Sequence, residues 1–181
     1  MAIQSPSGNV IQVVQRTTQN TNNYSSVNYQ NTDIHCDITP KFASSKLYIQ
    51  SIMQFGIGDH DTSIACNYTD SLISSSTSNP IGPHSTTGGD NNGSAGQRMA
   101  GYFGFGSFAG EPNVDNWYLG QIYGDFLYTP GYQNTTTRTI YLAVRSSLGK
   151  LVRINMNGQN NTTDPRDVRL RSFLTIMEIG A

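Results

Sequence analysis

Arg169-Leu170-Arg171-Ser172-Phe173-Leu174-Thr175-Ile176-Met177-Glu178-Ile179 is the stretch whose reading decides the fold. Side chains alternate faces along a strand, which places Leu170, Leu174 and Ile176 on one side and Phe173, Met177 and Ile179 on the other. Apolar residues on both faces predict a strand covered twice, at the centre of a sheet or against another subunit. No Pro or Gly breaks the run before Gly180, so full pairing is open to it. The stretch reads as the closing strand of the fold. Its one carboxylate, Glu178, calls for a partner, and Arg169 or Arg171 from a neighbouring strand or chain is the expected one.

The same alternation recurs upstream. Residues 8–18 (GNVIQVVQRTT) form a β-branched run that opens the fold. Residues 33–39 set Ile34, Cys36 and Ile38 inward and Asp33, His35 and Asp37 outward, and Pro40 ends that strand. Residues 46–55 put Leu47, Ile49, Met53 and Phe55 on one face, and further strands are predicted over 63–73, 99–108, 117–128 and 138–145. Leu148-Gly149-Lys150 reads as a turn into a strand at 151–156, paired with the strand before it. Residues 19–31 read as a connection with a short irregular strand. No segment shows a helical period or a capping box. The fold class that follows is all-β: an antiparallel β-sandwich or jelly-roll, one domain over 1–181.

Residues 74–98 are different. These 25 residues hold two prolines, five glycines and almost nothing to bury, so they read as a long inserted loop. Loops of that length in compact domains usually serve a function or are held by a partner.

Composition narrows the function classes. Charged residues make up 13% of the 181, about half the usual share, and the net charge is -1. That balance gives no electrostatic case for nucleic acid or an anionic membrane, and it defends weakly against self-association. The first six residues lack the basic and apolar regions of a signal peptide. Cys36 and Cys66 fall in step with apolar neighbours and read as buried small groups, not as a disulfide framework.

Chemistry-bearing residues are sparse. His35, His60 and His84 have no ligand spacing, so no metal and no cofactor are expected. Asp59-His60-Asp61 puts two carboxylates in one turn but lacks the further acids of a calcium loop, and a hydrated turn is the better reading. Residues 101–106 (GYFGFG) have neither the Lys nor the Ser or Thr of a phosphate loop. Glu111 and Glu178 are the only glutamates, and no hydrolytic carboxylate pair is recognisable. No catalytic residue is assigned. The surplus is aromatic, with ten Tyr, seven Phe and one Trp. Most read as core filling, with Tyr128 and Tyr132, beside the Pro130-Gly131 turn, as the candidates for exposure.

Three spaced segments carry a resemblance: Gly8 to Gln15 (GNVIQVVQ), Ile38 to Ile49 (ITPKFASSKLYI) and Phe173 to Ile179 (FLTIMEI). Together they resemble a family of small virion proteins of tailed bacteriophages, of the kind familiar from marine and cyanobacterial phages. The match spans nearly the whole chain, with the centre from Ser63 to Trp117 matching least. The resemblance implies a structural or tail-fibre protein of the virion, assembled in the host cytoplasm, in the form of a homotrimeric β-sandwich. Its partners would be copies of itself, other virion proteins and, in a fibre, a host surface glycan.

Three functions then compete. An enzyme such as a glycan depolymerase lacks its carboxylate pair. A host-attachment module of a tail fibre fits the loop-borne amides, but no fibrous repeat supplies a shaft. A compact capsid decoration or appendage module fits better. The expected contact elements are the long loop and the turn before it, through Asp59, His60, Asp61, Asn79, His84, Asp90, Asn91 and Asn92. Phe173, Met177 and Ile179 are expected either in the core or between subunits.

Overall fold

Period-two alternation becomes ten strands in the computed structural model, which describes residues 8–57, 62–70, 81, 103–105, 119–130, 134–146, 149–157 and 168–180. In chain order these are β1 (Val10–Thr18), β2 (Asn22–Tyr24), β3 (Gln30–Ile38), β4 (Lys46–Ile57), β5 (Ile64–Thr69), β6 (Phe103–Phe105), β7 (Leu119–Tyr128), β8 (Arg138–Ser146), β9 (Val152–Ile154) and β10 (Ser172–Ile179). No α-helix occurs among the described residues. Every strand pairing is antiparallel, and the strands form two sheets. The chain is an antiparallel β-sandwich of the jelly-roll type, as its alternation predicts.

The larger sheet is built around β4. Its residues 47–56 pair with β7 along one edge. The other edge is shared in succession: β10 takes 46–52 and β9 takes 55–57. β1 pairs outside β10, and β2 outside β9. The closing stretch is therefore an internal strand, paired on both edges; its inner face joins the core, and its apolar outer face is left for the surface of the sheet. The smaller sheet runs β3-β8-β5-β6. Successive strands pass back and forth between the sheets, as from β3 to β4 to β5 and from β7 to β8 to β9.

One expected pairing is corrected here. β9 does not pair with β8, the strand before it; it lies in the other sheet, between β4 and β2. Residues around Gly149 (φ 67°) are a crossover between the layers and not a hairpin turn. The apolar face of Val152 and Ile154 joins the core from the larger sheet, and β8 already has β3 and β5 on its two edges.

The core lies between the sheets. Leu47, Ile49, Met53 and Phe55 of β4 and Leu174 and Ile176 of β10 meet Ile34 and Ile38 of β3 and Ile140, Leu142 and Val144 of β8. Burying each such side chain is worth roughly 1.5–3 kcal/mol. Cys36 and Cys66 are buried and form no disulfide, as expected of small apolar groups. Tyr68 spans the layers: its hydroxyl donates to the Gly124 carbonyl at 2.8 Å and lies 2.8 Å from the Ser51 hydroxyl. Gly120 is obligatory, because a Cβ there would sit 2.3 Å from the Phe55 ring of the opposite strand.

Candidate interaction face

The inner face of the larger sheet is spent on the core, so its outer face is what the fold presents. Register sorts that face into rows running across the strands. One row holds Val13, Met177, Tyr48 and Leu127; the next holds Gln15, Thr175, Gln50 and Asp125; the third holds Thr17, Phe173, Ile52 and Tyr123. Val10 and Ile179 extend the first row's side, and Gln54 and Gln121 the third's. The face is thus banded: apolar, polar, apolar.

Four of the six large apolar side chains exposed among the described residues lie on it: Val10 (54%), Val13 (55%), Tyr123 (51%) and Leu127 (50%). Between them, the half-buried Phe173, Met177 and Ile179 of β10 and Ile52 of β4 fill the middle strands. At about 4.8 Å per strand and 3.3 Å per residue, four strands by eight residues project roughly 500 Å². That area includes the polar row, and the largest apolar patch on a soluble protein is often a functional surface.

The polar row is wired within the sheet. Gln15 donates to the Thr175 hydroxyl at 2.8 Å. The Tyr48 hydroxyl donates to Asp125 Oδ2 at 2.7 Å, a bond that, with burial adding to it, pushes the phenol up to about 12. Gln50 Nε2 donates to the hydroxyls of Tyr123 (3.0 Å) and Tyr48 (3.4 Å). Below this row Gln54 donates to Gln121 at 3.0 Å.

Glu178 marks one end of the sandwich. It points inward from β10 with no solvent exposure, the one buried carboxylate among the described residues. Neither Arg169 nor Arg171 meets it, contrary to the expectation from sequence: Arg169 donates instead to the Met156 sulfur. Its donors are backbone amides, Lys41 N at 2.8 Å and Phe42 N at 3.0 Å, together with Gln12 Nε2 at 2.6 Å. Pro40 supplies no N–H, and the two amides after it turn onto the carboxylate. Gln12 also donates to the Thr39 carbonyl at 2.7 Å, which ties the same turn to β1. Burial by itself would raise this carboxyl. The Ser45 hydroxyl beside it, although not in hydrogen-bonding geometry, and the amides of Lys41, Phe42 and Gln12 outweigh that and hold it below the usual carboxylate range.

Of the residues singled out from sequence, Phe173, Met177 and Ile179 face outward on the banded surface and not into the core. Tyr128 is half-buried: it packs against the core, stacks on Phe126 at 6.2 Å and donates to Asp70 at 3.2 Å. The solvent-facing tyrosine of that strand is Tyr123. Strand parity carries the signal, since Tyr128 shares its phase with the buried Ile122 and Tyr123 has the opposite phase. Asp59, His60, Asp61, Asn79, His84, Asp90, Asn91, Asn92 and Tyr132 lie outside the described residues. Among the described residues no cluster of His, Cys, Asp or Glu could hold a metal ion.

No known family model and no curated protein matches the chain. Among solved structures, that of Eiger TNF from S. frugiperda is similar at 12% identity and a TM-score of 0.34, over 88% of this chain and 92% of that one. A likeness at this level says nothing of function.

Proposed function

We propose that this chain is a non-enzymatic structural protein of a tailed bacteriophage particle, a compact capsid decoration or appendage module that assembles as a homotrimer through the banded face. The face is the observation that carries the assembly. An apolar–polar–apolar surface across four strands is complementary to itself. When a neighbouring copy is turned about an axis along the strands, each row meets its own kind. The occupant that fits is therefore another copy of this chain.

The phage assignment draws on the resemblance, and the fold gives that resemblance a physical shape. Its three segments are β1, the 38–45 turn with the start of β4, and β10: three neighbouring strands, with Glu178 bonded to both other segments. A sequence pattern scattered over the chain is thus one piece of structure. Glu178 is engaged by amide donors and, among the described residues, has no second carboxylate bonded with it, so it is assigned a structural role.

The test is to raise antibodies to the purified protein and view gold-labelled phage particles by electron microscopy. Regularly spaced label on capsid or tail is the expected result. Particles that carry no label, from a lysate that contains the protein, would sink the assignment.

A further inference from the structure

Among the groups the described hydrogen bonds leave over on this face are an acceptor and a donor side by side, on Gln50 and Tyr123. Tyr48 gives its proton to Asp125, so it can only accept from Gln50, and this fixes the Gln50 amide with its nitrogen toward the two tyrosines. Gln50 Oε1 then receives none of the described hydrogen bonds, and Tyr123, which accepts from Gln50, still has its own proton to give. In the isolated chain water serves both groups. Under an apolar contact neither could remain unpaired without a penalty that the surrounding burial would have to offset.

A second copy brings the same acceptor and the same donor. We propose that the Tyr123 hydroxyl of one copy donates to the Gln50 amide oxygen of its neighbour, and that this pair sets the register of the assembly. The inference rests on the face-to-face assembly proposed above. Apolar rows alone would tolerate sliding. A slip of one row, roughly 6.6 Å along the strands, sets one copy's Gln50 against its neighbour's Met177 and Leu127, where its amide oxygen meets no donor. Single polar groups in otherwise apolar contacts are known to fix register and copy number in this way.

The experiment measures association of the parent, Tyr123→Phe, Gln50→Leu and the double variant by sedimentation equilibrium, with native mass spectrometry for copy number. Each single change should weaken association roughly tenfold, the worth of one hydrogen bond left unmade. The double variant should be no weaker than either single one, and the variants should give a mixture of copy numbers where the parent gives one. Melting of the dissociated chain separates loss of folding from loss of contact, and Tyr123→Phe alone suffices if Gln50→Leu does not fold. A Tyr123→Phe protein that associates like an assembling parent, or a double variant whose losses add, overturns the pair while leaving the assembly standing. A parent that stays monomeric overturns both.

Discussion

A carboxylate without solvent contact survives at Glu178 because donors surround it, and the same donors make stability depend on acid. Its folded-state pKa lies below the ordinary value near ~4.3, so the stability it contributes is complete above that value and is lost as pH falls through the folded one. Urea unfolding followed from pH 7 downward should show a constant contribution to about pH 5 and a decline below it. Glu178→Gln, which keeps the shape and removes the charge, should cost roughly 2–4 kcal/mol at pH 7 and flatten that decline. An unchanged acid limb in the variant would mean that other groups govern it. This site was only half legible in the sequence. An acid in an apolar strand announces a partner, but two of its three donors are main-chain N–H groups, which no composition reveals, and the third is the neutral amide of Gln12.

Between residue and sheet stands the seam where β10 gives way to β9 on the edge of β4. Asn155 fills it. Its φ of 60° is the left-handed conformation that Asn tolerates better than most residues. Its side chain donates to the carbonyls of Thr18 (3.2 Å) and Asn20 (2.9 Å) and accepts from Ser172 at 2.6 Å, while Ser172 accepts from Gln54 N at 2.9 Å. Four chain segments meet in one buried knot. Asn155→Gly keeps the backbone conformation and loses the bonds; Asn155→Ala loses both. Thermal unfolding should rank parent above Gly above Ala, with the last two about 1–2 kcal/mol apart. Equal melting of the two variants would show that the left-handed backbone contributes nothing. The alternation at 33–39, 46–55 and 138–145 made the strands legible, because burying one face imposes a period of two. The partner of β9 was not legible. A short turn between apolar runs is local information, whereas the choice of sheet depends on which edges more distant strands have already taken.

Across the whole molecule, polarity is arranged for company on one side. Leu127 is half exposed at the flank of the banded face and absent from the core cluster, so a charge there should leave folding intact. Leu127→Lys should shift light scattering at micromolar concentration from trimer to monomer, with the melting of the isolated chain within about 0.5 kcal/mol of the parent. A variant that still assembles would move the contact to another surface. The apolar outer residues of β10 could be read from sequence. The band could not, because it exists only once register places Gln15, Thr175, Gln50 and Asp125 side by side.

That same register says something about time. β10 comes last among the described strands, yet it lies between β1 and β4, and Gln12 meets Glu178 across 166 positions of chain. Until β10 arrives, β1 has no described strand beside it and the Lys46–Ile52 edge of β4 stands open. Such distant pairing places the fold among the slow ones, in the range of roughly milliseconds to seconds. The larger sheet must wait for β10 to leave the ribosome, and in that interval the unsatisfied edge of β4 is where nascent chains would stick to one another.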